Sequence, residues 1–269
     1  MHKTFWLLSL LVAAFMPSAH AHEKQWQSSC DSTTIKAVAA WAGVKGKAII
    51  EECKAMPNAP DTTIAAITFD FSHDEARAVD DGNYLHVYAL VKASKVVAAY
   101  RFTAEDNAVS YRIDTARYVL SKDIRAFGIV VSYNVDSHMR DSRPGCPDAN
   151  DGGEILTLWI REGEKLRPVF GINLDGWIRI EGEPCAPRKS ESARMTISTE
   201  KTASHGFADL AITAHVTQEL CVDHEDCSVT EKRTARKIVK YNGKSYGSEY
   251  SSRFWWPSEV RQKWNIEPK

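Results

Sequence analysis

The stretch Glu154-Ile-Leu-Thr-Leu-Trp-Ile-Arg161, the pair Glu162-Gly163 and the run Lys165-Leu-Arg-Pro-Val-Phe-Gly-Ile172 decide the fold. Each run is short, rich in β-branched and aromatic residues, and separated from the next by a glycine turn. That texture predicts two strands joined as a hairpin. Both faces of 155–160 are largely apolar, as expected of a strand in the middle of a sandwich or barrel.

Working outward, the same texture predicts strands at 63–71, 84–92, 96–103, 109–114, 125–134, 177–181, 193–199, 207–216 and 235–241. His205-Gly206 supplies a further turn, and Asn242-Gly243 has the residues a type I′ hairpin turn needs, where both central φ angles are positive. Hairpin-like units at 91–96, 160–165 and 240–245 resemble one another, but their separations are irregular and define no repeat. So many strands with almost no helix between them cannot form a parallel α/β sheet, whose crossovers need a dozen or more residues. The expected fold is mainly β: an antiparallel sandwich or barrel-like domain over 61–269, preceded by a small disulfide-stapled helical segment over 22–60.

In that segment Asp31 precedes Ile35, Val38, Ala39 and Ala42, an N-cap followed by one apolar helical face that ends near Gly43. A second helix is expected after Gly46, with Ile49, Ile50, Cys53 and Met56 on one side and Pro57 as its stop.

Residues 1–21 read as a secretory signal peptide: a basic start at His2-Lys3, an apolar run from Phe5 to Met16, and small residues before a cleavage site near Ala21. The apolar run is too short to span ~30 Å of hydrocarbon, so no integral membrane anchor is expected. The mature chain is expected to be exported, to the periplasm or the cell exterior. In that oxidising setting six cysteines make three disulfides most simply, and their spacing pairs Cys30 with Cys53, Cys146 with Cys185, and Cys221 with Cys227.

The chain has 269 residues, 34 Lys+Arg against 35 Asp+Glu and a net charge of -1. Without an excess of basic residues to release counterions from a polyanion, nucleic acid is not an expected partner. No cofactor motif is present. A Gly-x-Ser-x-Gly elbow is missing, Ser198-Thr-Glu-Lys201 lacks its companion Lys-Thr-Gly, and Asp114-Thr-Ala116 is half of an aspartic-protease motif, so no catalytic residue is assigned.

Metal sites fare no better. Five residues separate Cys221 from Cys227, where a zinc knuckle uses two, which makes His224 and its acidic neighbours part of a disulfide-closed loop. Asp70, Asp74, Glu75, Asp80 and Asp81 do not follow the calcium-loop spacing, and His22 at the mature N-terminus has no second ligand legible in the sequence.

Two features remain as binding candidates. The long polar connection 136–153, held by Cys146, carries Arg140 and Arg143 on a β scaffold, where binding residues concentrate. The C-terminal cluster of Tyr250, Trp255 and Trp256 either docks the tail on the core, the plainer reading, or offers aromatic faces on which sugar rings stack. Arg233, Arg236, Lys237 and Lys240 beside it fit a charged edge strand. The expected function is therefore that of an exported β-rich binding protein of the cell envelope, with a protein or a polysaccharide as partner. The alternative is an envelope hydrolase using carboxylates of the 136–154 region, which would have to face each other across a cleft, and a metal-binding role ranks a distant third.

Overall fold

In the computed structural model, which describes residues 30–45, 47–70, 83–104, 110–133, 149–183, 186–222, 226–247 and 252–263, Asp31 caps helix α1 (Ser32–Ala42). Its carboxylate accepts from the backbone N–H groups of Thr33 and Thr34 at 2.9 and 2.8 Å, satisfying donors that have no partner within the helix. Gly43 ends the helix in the left-handed conformation, as the sequence predicts.

The second expected helix is instead strand β1 (Ala48–Met56). The reason is burial on two sides. Ile50 and Met56 pack with the interior of the barrel described below, whereas Cys53 faces α1 and joins Cys30 in a disulfide. A strand covered on both faces loses its period-two pattern and can mimic helical spacing.

The chain continues as β2 (Ala59–Asp70), β3 (Tyr84–Lys92), β4 (Lys95–Ala104), β5 (Ser110–Val119), β6 (Arg125–Ser132), β7 (Ala149–Asn150), β8 (Glu154–Glu162) and β9 (Lys165–Asn173). It then forms β10 (Asp175–Glu183), β11 (Ala186–Ser204), β12 (Phe207–Cys221), β13 (Cys227–Val239) and a short helix α2 (Ser258–Lys263). Eight strands make one sheet in the order β1-β2-β3-β4-β9-β8-β6-β5. This sheet curls until β5 lies beside β1, where Lys54 Nζ donates to the Ile113 carbonyl at 3.1 Å, and so forms a nearly closed barrel. The pairing is antiparallel, as expected, except at β4–β9, a parallel contact through Ala99 and Lys165. It joins β1–β4 to the rest of the sheet between strands far apart in sequence and so needs no local crossover.

The remaining strands form a second sheet, β13-β12-β11-β10-β7, packed on the outside of the barrel. Val130, Leu158 and Ile160 of the barrel wall meet Ile178, Met195 and Ile212 of this sheet. On another stretch of wall, Val38 and Ala42 of α1 cover Ile67, Val87 and Ala89. Alternate residues of the same strands, Ala66, Tyr88 and Ile129 among them, fill the barrel. The β11–β12 turn follows prediction, with φ of 48° at His205 and 83° at Gly206. Asn242-Gly243 does not make a hairpin. Asn242 Oδ1 instead accepts from the N–H groups of Lys244 and Ser245, turning the chain without a returning strand.

Disulfides Cys30–Cys53 and Cys221–Cys227 are present, and Cys146 and Cys185 lie outside the described residues. No helix among the described residues is long and apolar enough to cross a membrane.

Candidate functional site

The barrel interior holds a polar cluster that no local motif announces. Thr68 and His86 are register partners on β2 and β3, both on inward positions. Thr68 Oγ1 lies 3.1 Å from His86 Nδ1 and 2.6 Å from the Tyr111 hydroxyl, which in turn lies 2.5 Å from His86 Nδ1. All three residues are buried. The His86 ring stacks on Phe102 with centroids 4.7 Å apart, and Tyr88 packs edge-on to Tyr111. Burial pushes the hydroxyl pKa values of Tyr88 and Tyr111 above the ordinary tyrosine value, which keeps both neutral at physiological pH. Glu52 is also buried and shares the next rung with Ala66, Tyr88 and Tyr100.

Tyr88 connects this interior to the surface. Its ring meets Trp159 at 5.2 Å, and Trp159 meets Tyr100 at 4.9 Å. Tyr100 is 38% exposed because β4 and β9 touch at a single bridge, which leaves a seam in the wall. A recess of about 370 Å³ lies at this seam, lined by Trp41, Tyr100, Arg101, Glu164, Lys165 and Leu166. Trp41, on the last turn of α1, is 43% exposed.

The residues singled out in the sequence fall elsewhere. Trp255 and Trp256 are 2% and 3% exposed and pack against the second sheet, so their ring faces serve the core in this arrangement. A Cβ on Gly176 would sit 3.3 Å from the Trp255 ring, which shows how closely that indole approaches the backbone of β10. Arg253 holds the same segment in place by pairing with Asp151 and lying over the Trp256 ring. Tyr250, Arg140 and Arg143 lie outside the described residues.

The basic strip divides by strand alternation: Arg233 turns inward to Glu191, and Arg236 pairs with Glu200 on the other face of the edge strand β13. Asp114 accepts from the Ala116 N–H and the Tyr118 hydroxyl at 2.8 and 2.7 Å. No group of three or more His, Cys, Asp or Glu suited to a metal occurs among the described residues.

Sequence reasoning missed Trp41 and Tyr100. Trp41 offered one signal, a large aromatic on the flank of the apolar stripe of α1. For Tyr100, and for Thr68, His86 and Tyr111, only the three-dimensional register brings the partners together. By fold the chain is a nearly closed eight-stranded β-barrel with a helix and a second sheet packed on its outer walls. It matches no protein-family profile, no curated protein and no solved structure.

Proposed function

We propose that the protein is an exported binding protein of the cell envelope, released to the periplasm or exterior by cleavage near Ala21, with a polysaccharide or a protein as its ligand. The observation that carries this reading is the seam recess, where two exposed aromatic rings and both signs of charge meet on a disulfide-stapled β scaffold. Exposed aromatic residues gathered in a recess are what a recognition surface requires.

The hydrolase alternative asks for carboxylates facing each other near the 136–154 connection. Asp151 and Glu154, the described carboxylates there, each end in arginine: Asp151 pairs with Arg253, and Glu154 with Arg112 and Arg194 at 3.5 and 3.2 Å. Binding is therefore the reading the arrangement favours. Incubating the mature protein with envelope extract and with purified peptidoglycan, while assaying both for hydrolysis, tests it. Specific retention without turnover is expected. No retention combined with measurable hydrolysis would overturn it.

A further inference from the structure

We infer that the seam recess is a glycan site in which a gluco-configured pyranose unit stacks on Trp41 and Tyr100. This deepens the binding reading above and rests on it. Such a sugar carries axial C–H groups on a flat face and hydroxyls around its edge. It therefore matches an aromatic surface ringed by charged hydrogen-bonding groups. Trp41 and Tyr100 supply the aromatic surface, and Arg101, Glu164 and Lys165 supply the ring of donors and acceptors. The volume of about 370 Å³ lies at the low end for small-ligand sites, the scale of a short sugar segment.

A protein partner fits less well. A stable protein interface buries roughly 800 Å² per side around several apolar anchors, whereas here two aromatic residues stand among charged neighbours.

The elements that carry the site are tied to one another in the free protein, which lowers the entropy lost on binding. Arg101 donates to the Ala42 carbonyl at 3.1 Å, fixing the turn of α1 that bears Trp41 to β4. Arg161 donates to the Gly163 carbonyl at 2.8 Å and the Val97 carbonyl at 3.3 Å, tying the β8–β9 turn that bears Glu164 to the same strand. Tyr100 rests on Trp159, whose indole is buried.

The test uses the mature protein and the variants Trp41→Ala, Tyr100→Ala and the rim pair Glu164→Gln/Lys165→Ala. Each is offered peptidoglycan sacculi, chitin and cellulose in pull-down, and a soluble N-acetylglucosamine tetramer in a fluorescence titration. Because Tyr100 touches Trp159, thermal unfolding checks that each variant is folded, and the rim pair, which lines the surface, keeps the test open if Tyr100→Ala fails. Wild-type retention on at least one glycan is expected, with a loss of about tenfold or more for each aromatic variant and a smaller loss for the rim pair. Equal retention of wild type and all folded variants would place the glycan elsewhere and overturn the site, leaving the binding reading intact. Capture of envelope proteins with no retention on any glycan would do the same. Retention of neither glycan nor protein would overturn both.

Discussion

The guanidinium of Arg233 joins the middle of the second sheet to the C-terminal segment: it donates to the Glu191 carboxylate at 2.6 Å and to the Trp255 carbonyl at 2.9 Å. Glu191 is 3% exposed and also accepts from Gln218 Nε2 at 3.2 Å. Glu191 and Gln218 face a recess that Pro257 and Val260 of the C-terminal segment also line, so the pair stands where that segment packs on the sheet.

Removing Arg233 strands a buried carboxylate, a change that costs about 3 kcal/mol or more. Arg233→Ala is therefore expected to lower the urea midpoint strongly. Arg233→Ala combined with Glu191→Gln should recover part of the loss, because the second change removes the uncompensated charge. If the single variant matches wild type, the contact does not hold the tail in place.

The cluster inside the barrel makes a different prediction. Tyr111→Phe takes a hydroxyl from both Thr68 Oγ1 and His86 Nδ1, leaving their mutual 3.1 Å contact. Buried polar atoms short of a partner cost about 1–3 kcal/mol. Denaturant unfolding should show that loss. Thr68→Val added to Tyr111→Phe should cost less than the sum of the two single changes, since both act on one network. Strict additivity would mean that the three groups do not act together.

Ala93 and Ser94 join β3 to β4 with φ of 47° and 60°, a region that side-chain-bearing residues enter at a cost. Asn and Gly adopt that conformation far more readily, as the type I′ turn requires. Ala93→Asn with Ser94→Gly is expected to stabilise the protein by roughly 1 kcal/mol, seen as a higher thermal midpoint. No gain would show that the turn's conformation is set by its flanking ladder rather than by its own residues.

Much of this architecture was legible, and its failures share one cause. The β3 strand reads correctly from end to end at Tyr84–Lys92, because β-branched and aromatic residues fill it and turns flank it. The hairpin of β8 and β9 reads correctly for the same reason. In β1, apolar residues on both faces reproduced a helical spacing that only pairing with β2 resolves. The expected strand at 193–199 proved to be the middle of β11, which spans Ala186–Ser204, since polar Ser190 and Glu191 disguised its first half. Those residues are buried against partners that a local pattern does not contain. The candidate site was hidden likewise: Trp41 and Tyr100 lie on different elements and line one recess only because α1 docks on β4.

Acid should reveal the contribution of a carboxylate held by hydroxyl donors. The Asp209 carboxylate accepts a hydrogen bond from Ser204 and another from Thr202, at 2.7 Å in the latter case, and these hold its pKa below the ordinary aspartate value of 3.8. A carboxyl group whose pKa is depressed by folding contributes stability above its unfolded value and loses that contribution as pH falls through the lower folded value. Asp209→Asn should therefore unfold at lower urea than wild type at pH 7. The gap should hold down to about pH 4 and narrow below it, as wild-type Asp209 takes up its proton. Urea midpoints measured down a pH series check this. A gap that stays constant through the acid range would show that the loss comes from the poorer fit of the amide and not from the charge of the carboxylate.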